Sequence, residues 1–201
     1  MNTTPTDDLL DCFARLAGRE MPEDEKAIWR RICVEKQFPP KTQLLHLGDQ
    51  PGAFYYILKG LARQFYIDGT GADTTRGFAR EGEFCCTEAL IEADCAPYCV
   101  ETLEECRCVV FRRRDLEELL GDSVYMRDAY IQAMKLNIRN RSKREKLLIT
   151  ADARSRYESF LAMYPELSGR VKQVYLASYL GMNQVTLSRV CSSLRRSESQ
   201  R

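Results

Sequence analysis

The stretch that decides the fold is Gln173–Leu194, which reads QVYLASYLGMNQVTLSRVCSSL. Two short helical patterns meet in it at Leu180-Gly181-Met182. Ala177 is small where two helices cross closely, and Gly181 can take the left-handed conformation of a tight turn. An apolar seam joins the two patterns and consists of Leu176, Leu180, Met182, Leu187 and Val190. This layout predicts a helix-turn-helix, a motif whose second helix typically enters the major groove of DNA.

The second helix of the motif, predicted over about 183–196, has two different faces. Asn183 is a favourable N-cap for it. A stripe at i, i+3, i+4 and i+7 spacing is predicted to be buried and consists of Leu187, Val190, Cys191 and Leu194. The face left for DNA holds Gln184, Val185, Ser188, Arg189 and Ser192.

The residue types on that face suit DNA. Gln184 and Arg189 can make bidentate hydrogen bonds to adenine and guanine, and Val185 can contact a thymine methyl group. Thr186 and Ser188 are better suited to phosphate oxygens, which position a protein without specifying a base. The alternative is that some of these side chains, Ser188 and Ser192 foremost, simply face solvent.

Charge is divided unevenly along the 201 residues, although the net charge is only +1. Residues 1–121 hold 15 Lys and Arg against 22 Asp and Glu, and residues 122–201 hold 15 against 7. The basic part contains the predicted helix-turn-helix, so we expect that part alone to meet a polyanion. Unselected surface charge is the competing interpretation.

The sequence has neither of two signals that are typical of membrane or secreted proteins. No apolar run approaches the roughly 20 residues of a membrane span. The first residues, MNTTPTDDLLDC, lack the basic and apolar regions of a secretory signal. We therefore expect a cytoplasmic protein with no membrane partner.

The middle of the chain has a β pattern. Helices are predicted over 8–17 and 23–36, and then short apolar runs punctuated by glycine fill residues 42–111. The predicted strands are Gln43–His46, Ala53–Lys59, Leu61–Ile67, Asp73–Ala79, Tyr98–Leu103 and Arg107–Arg112. Many short strands at this spacing predict a barrel or jelly roll.

A long helix follows a short one at Arg114–Leu120 and is predicted over about Ser123–Thr150. Val124, Ile131 and Ile138 recur every seven residues, with Met134 and Leu148 on the complementary positions. This partial heptad predicts a dimer interface formed by paired helices. Because Arg127, Arg141 and Glu145 interrupt the seam, packing against its own domain is the alternative. A further helix is predicted over Asp152–Met163.

The order of these elements resembles the Crp/Fnr superfamily of bacterial transcription regulators. The C-terminal segments that carry the likeness, similar to a subgroup common in Bacteroidetes-like bacteria, are Arg156-Tyr157, Tyr164–Leu167, Leu176–Gly181 and Thr186–Arg189. Upstream, Leu58-Lys59-Gly60 and Glu81–Phe84 resemble strand and turn segments of that family's barrel. The resemblance covers nearly the whole chain.

The resemblance implies an α+β protein in three parts. These are a cyclic-nucleotide-binding-like β jelly roll over 1–121, a dimerisation helix over 122–150 and a helix-turn-helix domain over 151–201. It also implies a homodimer, double-stranded DNA with a palindromic operator, a small-molecule effector in the barrel, and RNA polymerase as a further candidate partner. It makes positions 184, 185 and 189 the base readers. No strand pattern for a wing follows Leu194, so the expected phosphate contacts fall to Lys172, Arg170, Arg195 and Arg196.

The sequence argues against a cyclic nucleotide as the effector. The family's phosphate cassette has Gly-Glu near its start and Arg-Ser/Thr about ten residues on. Here Glu88 matches the acid, but Pro97 stands at the arginine position, and residues 81–106 contain eight acids and no Lys or Arg. An anion there would meet repulsion without a fixed cation. Arg63 or Arg76 could reach in from other strands, and Glu88, Arg63, Arg76 and Tyr98 are the effector-pocket candidates.

Nine cysteines raise the question of a sensor, because six of them lie between 85 and 108. Their spacings match no standard zinc or iron–sulfur signature. Free cysteine is also a common small core residue. We expect inert thiols and no cofactor or metal, with a redox or metal role as the alternative. His46, the only histidine, is expected to be structural.

Enzymatic signatures are missing from the sequence. It has no Gly-rich phosphate loop and no Gly-x-Ser-x-Gly, and the acids of 81–106 follow no calcium-loop spacing. The sequence therefore predicts a DNA-binding transcription regulator and not an enzyme. Two alternatives stay open: a dimeric ligand-binding or adaptor protein that has lost DNA reading, and a thiol-based redox-responsive regulator.

Overall fold

A computed structural model of the chain describes residues 4–86 and 95–198, which form two compact units, Met1–Leu136 and Asn137–Arg201. The α-helices of the described residues are α1 (Pro5–Ala17), α2 (Glu23–Ile32), α3 (Arg113–Asp122), α4 (Val124–Thr150), α5 (Ala153–Met163), α6 (Gln173–Tyr179) and α7 (Gln184–Glu198). In this part of the chain, no helix combines the length and the apolar character that crossing a membrane requires.

Two antiparallel sheets build the first unit. Its strands are β1 (Val34–Phe38), β2 (Gln43–Leu45), β3 (Ala53–Lys59), β4 (Ala62–Ile67), β5 (Asp73–Ala79), β6 (Phe84–Cys85), β7 (Cys99–Thr102) and β8 (Cys106–Arg112). One sheet has the order β1-β8-β3-β6 and the other β2-β7-β4-β5. This confirms the predicted mixed fold with a jelly roll.

The first unit has one core between the sheets and another outside them. Between the sheets, small and β-branched side chains and thiols are buried together; they include Ile57, Ala62, Cys85, Tyr98, Val100, Cys106 and Cys108. On the outer face, Trp29 of α2 is fully buried, with its ring centroid 4.8 Å from that of Phe13 and 5.0 Å from that of Phe111. The single tryptophan of the sequence thus reports on this unit alone.

The prediction of one helix over 23–36 is wrong at its end. The helix stops at Ile32, and Val34–Phe38 forms strand β1, pairing with β8 from Val34↔Val110 to Phe38↔Cys106. This pairing crosses about seventy residues of sequence and overrides a local helical pattern. The two-residue strand Phe84–Cys85 was also not predicted.

The second unit is helical and has its own core. Phe160 of α5 is buried, and its ring centroid lies 5.8 Å from that of Tyr179 in α6. Helix α5 begins as the sequence predicts, because the side chain of Asp152 accepts a 2.8 Å hydrogen bond from the backbone N–H of Ser155. Buried Leu176, Ala177, Leu180 and Leu187 close the core beneath α6 and α7.

Candidate nucleic-acid interface

Helices α6 and α7 form the predicted helix-turn-helix. The turn is a Schellman motif, in which Gly181 N–H donates to the Ser178 carbonyl at 3.1 Å and Met182 N–H donates to the Ala177 carbonyl at 3.0 Å. Gly181 has φ +64°, the left-handed conformation that glycine adopts without a steric penalty. The turn between the two helices is therefore fixed by backbone hydrogen bonds and by the absence of a side chain.

Asn183 starts the second helix. Its Oδ1 atom accepts a 2.8 Å hydrogen bond from the backbone N–H of Thr186, and its carbonyl accepts from Leu187 N–H at 3.1 Å. These bonds satisfy donors that the first turn of a helix leaves open. The first residues of α7 are consequently held in place.

The two faces of α7 differ as expected. Leu187 is fully buried, and Val190, Cys191 and Leu194 are half-buried. On the opposite side, Gln184, Val185, Ser188, Arg189 and Ser192 are exposed, and Thr186 is half-buried. The expected base-reading side chains thus share one accessible face.

Arg189 is the main charge on that face. Within residues 4–86 and 95–198, its guanidinium has no hydrogen-bond or ion-pair partner. A guanidinium in this state presents its fork of donors to solvent, which suits the two acceptors on the major-groove edge of guanine.

The expected phosphate contacts lie around this face. Lys172 is exposed at the N-cap position of α6, and Arg195 and Arg196 are exposed in the last turns of α7. Arg170 is half-buried. Helix α7 extends to Glu198.

The effector-pocket candidates of the first unit behave differently from Arg189. Arg63, only 1% exposed, donates from Nε to Thr75 Oγ1 at 2.9 Å. Its Nη atoms pair with both carboxylate oxygens of Asp73 and, at 3.2 Å, with Glu101 Oε1. Strand register explains the Glu101 pair, because Arg63 of β4 lies opposite Glu101 of β7. The charge of Arg63 is therefore neutralised inside the unit.

Arg76 is also engaged. It donates from Nε to the Tyr66 hydroxyl at 2.9 Å and from Nη1 to Gln64 Oε1, and its guanidinium carbon lies 4.5 Å from the ring centroid of Tyr98. Tyr98 is buried, and burial raises the pKa of its hydroxyl. Arg76 and Tyr98 thus come together as expected, whereas Glu88 lies outside the described residues.

Five of the six clustered cysteines are buried thiols, and Cys95 is exposed. Cys85, Cys86, Cys99, Cys106 and Cys108 are all buried. Burial raises the pKa of Cys86 and Cys108 to about 12 each, so both are protonated at neutral pH. A protonated thiol is a poor nucleophile and a poor metal ligand. Within residues 4–86 and 95–198, no group of three or more His, Cys, Asp or Glu is placed to hold a metal ion.

The predicted dimer residues lie on α4. Val124, Ile131 and Ile138 are 61%, 48% and 64% exposed, and Met134 is half-buried. Large apolar side chains with this exposure at seven-residue spacing form a stripe that a second helix can cover.

Two arginines that the sequence analysis did not assign to the site lie behind the turn of the motif. Arg144 of α4 donates from Nη2 to the Tyr179 carbonyl at 2.9 Å. Arg156 of α5 donates from Nη1 to the carbonyls of Leu180 at 2.7 Å and Gly181 at 3.1 Å. Residues 139–146 are rich in Lys and Arg, a pattern typical of a solvated helix face, and this pattern does not single out Arg144.

Comparisons with known proteins agree with this fold. Residues 35–123 match the cyclic nucleotide-binding domain family. This domain match covers the strands of the first unit and α3. Among curated proteins, none matches the sequence.

Solved structures resemble the chain over most of its length. FixK2 from Bradyrhizobium japonicum superposes with a TM-score of 0.74 at 18% identity, covering 83% of this chain and 86% of FixK2. The c-di-GMP responsive global regulator CLP of Xanthomonas campestris gives 0.68 at 19%, covering 88% and 93%. The catabolite activator protein of Thermus thermophilus gives 0.56 at 19%, covering 91% and 87%. At these identities the likeness establishes the fold.

Proposed function

We propose that this protein is a sequence-specific DNA-binding transcription regulator of the Crp/Fnr type. The observation that carries the proposal is the exposed face of α7, on which Gln184, Val185 and Arg189 are accessible and Arg189 has no partner in the described chain. The rest of the unit suits a polyanion, since residues 137–201 hold 13 Lys and Arg against 5 Asp and Glu.

The side chains divide into base readers and phosphate contacts. Gln184 reads adenine, Arg189 reads guanine and Val185 contacts a thymine methyl group. Phosphate oxygens are bound by the surrounding polar and basic side chains, namely Thr186, Ser188, Lys172 and Arg195. Contacts of the second kind set the register of α7 on the duplex and supply most of the salt-dependent affinity.

The active form is a homodimer that pairs through α4. The exposed stripe of Val124, Ile131 and Ile138, with Met134 beside it, supports this assignment. Two recognition helices related by a two-fold axis read a palindromic operator whose half-sites lie about 34 Å apart. An effector of the first unit and RNA polymerase complete the set of partners, and we place the protein in the cytoplasm.

Selection from genomic DNA tests the proposal directly. Purified protein is incubated with sheared genomic DNA at about 150 mM salt, near physiological ionic strength, and the recovered fragments are sequenced. We expect enrichment of a palindromic motif. Recovery of fragments without any shared motif, with or without cellular small molecules added, contradicts sequence-specific reading and favours the adaptor alternative.

Arg189→Ala then tests the groove assignment on the selected site. We expect a loss of about 1–3 kcal/mol in binding to that site and little change on random duplex. Arg196→Ala is the matched control, because Arg196 is exposed on the same helix and its Nε atom donates to the Ser192 carbonyl at 3.3 Å. The control should weaken both duplexes alike; equal behaviour of the two variants would place the reading residues elsewhere.

The thiol-based alternative receives less support from the geometry. The raised pKa values of Cys86 and Cys108 oppose oxidation at neutral pH, since the thiolate is the reactive form. Peroxide treatment before the DNA-binding assay discriminates, because a redox regulator changes affinity for the selected site and an effector-driven one keeps it.

A further inference from the structure

Two cationic side chains from different helices converge on the end of α6. Arg144 comes from the last turns of α4, Arg156 comes from α5, and together they donate to three consecutive carbonyls, those of Tyr179, Leu180 and Gly181. The guanidinium of Arg144 also lies over the Tyr179 ring, 4.6 Å from its centroid. All of these groups belong to the second unit.

Two of these carbonyls, those of Tyr179 and Leu180, are among the ones that a helix cannot satisfy itself, and Gly181 follows the helix. The last carbonyls of an α-helix lack intrahelical donors and carry the negative end of the helix dipole. The Schellman bonds of the turn use the carbonyls of Ala177 and Ser178, one residue upstream of this set. The two arginines therefore supply the donors that α6 lacks, and they do so with favourable charge.

Packing around Gly181 shows how closely this arrangement is fitted. A Cβ atom added to Gly181 would lie 3.0 Å from Leu148 Cδ2 of α4 and 3.1 Å from Arg156 Nη1. Side chains of α4 and α5 thus pack closely against the turn at Gly181.

We propose that Arg144 and Arg156 are positioning residues for DNA reading, which hold the turn of the motif and thereby fix where α7 presents Gln184 and Arg189. The proposal rests on the proposed function, because it assigns those arginines a part in the same site. Neither arginine touches DNA in this role. Each acts through the backbone of residues 179–181.

Arginine is the residue type that this role requires. Nη1 of Arg156 reaches two successive carbonyls, and Arg144 combines a hydrogen bond with stacking on an aromatic ring. Lysine is a compact point charge that does not reproduce a planar fork or a stacked contact. Arg144→Lys therefore keeps the positive charge and removes the geometry.

The test compares Arg144→Ala, Arg144→Lys and Arg156→Ala with Arg139→Ala in the full chain. Arg139 is exposed on α4 in the same unit, so its removal deletes the same charge without touching the turn. Affinity is measured for the duplex selected from genomic DNA and for a random duplex. Hydrogen exchange of the amides of residues 180–187 is measured without DNA.

We expect Arg144→Ala and Arg156→Ala to lose about tenfold in affinity for the selected duplex, the scale of one hydrogen bond to a charged group. Random-duplex affinity should match that of Arg139→Ala, and amide exchange in the turn should rise. Arg144→Lys should show the same loss of preference although its charge is retained. Rescue by lysine would reduce the role of Arg144 to electrostatics and overturn the proposal.

Two further outcomes also decide the matter. Selected-duplex affinity equal to that of Arg139→Ala shows that the turn needs neither arginine. Wild-type protein without any sequence preference overturns the proposed function itself. In that case, amide hydrogen exchange alone tests whether the two arginines stabilise the turn. Unchanged exchange in Arg144→Ala and Arg156→Ala would refute that role as well.

Discussion

The buried arginine of the first unit and the arginines at the helix-turn-helix of the second unit have different partners. In the first unit, Arg63 is buried and paired with the carboxylates of Asp73 and Glu101. In the second, Arg144 and Arg156 donate to backbone carbonyls, and Arg189 is exposed without a partner in the described residues. A carboxylate cancels the charge of a guanidinium, whereas a carbonyl does not.

The number of basic residues does not by itself separate the two units electrostatically. Residues 1–136 hold 17 Lys and Arg, more than the 13 of residues 137–201, but they also hold 24 Asp and Glu against 5. An arginine that donates to carbonyls, such as Arg156, keeps its positive charge in the field of the second unit. The two units differ in charge because most of the Asp and Glu residues lie in the first unit.

The largest effect should come from the neutralised arginine of the first unit. Arg63→Ala leaves Glu101 and Asp73 without their cation and removes a long side chain from the core. We expect it to lower the free energy of unfolding of this unit by about 3 kcal/mol. Denaturant titration followed by the fluorescence of Trp29, buried in the same unit, measures the loss.

Arg107→Ala is the control for that experiment. Arg107 pairs with Glu35 at 2.9 Å, but its side chain is 46% exposed, and exposed pairs contribute about 0–1 kcal/mol. Similar losses in Arg63→Ala and Arg107→Ala would show that the buried cluster contributes no more than a surface pair, and the contrast between the units would lose its energetic basis.

A smaller effect is expected at the turn of the second unit. Gly181→Ala places a side chain at φ +64° and against Leu148 and Arg156, so we expect a loss of about 1–2 kcal/mol. Gly169→Ala in the same unit is the control, since an added Cβ there meets nothing within 4 Å and its φ is not positive.

Circular dichroism at 222 nm follows the unfolding of the helical second unit and measures this loss of stability. Trp29 fluorescence should show an unchanged unfolding transition for the first unit. A Gly181→Ala variant as stable as Gly169→Ala would mean that the turn relaxes freely, which contradicts the close fit inferred for Arg156 and Leu148.

The sequence predicted elements whose signals are local. Asn183 as a cap and Gly181 as a left-handed turn residue lie within the motif that they define. Strand β1 was not predicted because its partner β8 lies about seventy residues away in the sequence. The residues Val34–Phe38 contain no local signal of that pairing.

The same limit applies to the candidate sites. Arg63 looked available for an anion because the register that places it beside Glu101 is a property of the sheet and not of either segment. Arg144 lay within a basic run that resembles a solvated surface, and only the packing of α4 behind the turn gives it a role. Exposed faces of α7 were predictable because helical periodicity alone separates them from Leu187.

A still smaller effect is expected from charge at the N-terminus of α5. Backbone hydrogen bonding from Ser155 lowers the pKa of Asp152, with Arg154 and Arg156 adding to the effect. A lowered folded-state pKa stabilises above the unfolded-state pKa, and this contribution disappears as pH falls through the folded-state pKa. Asp152→Asn keeps a good cap and removes the titration. Its melting temperature should therefore lie slightly below wild type at pH 7 and coincide with it near pH 2; an equal gap at both pH values would refute a charge effect.

No effect at all is expected from cyclic AMP or cyclic GMP, although residues 35–123 match the cyclic nucleotide-binding domain family. Arg63 would have to abandon Asp73 and Glu101 to bind a phosphate, and Arg76 would have to leave Gln64 and Tyr66. A ligand at about 100 times its Kd adds about 2.7 kcal/mol to stability, which a melting curve of Trp29 fluorescence resolves easily. A saturable rise in melting temperature with micromolar nucleotide would show that a cation of the first unit can bind a phosphate. The ion pairs and hydrogen bonds of Arg63 and Arg76 would then not prevent these arginines from binding an anion.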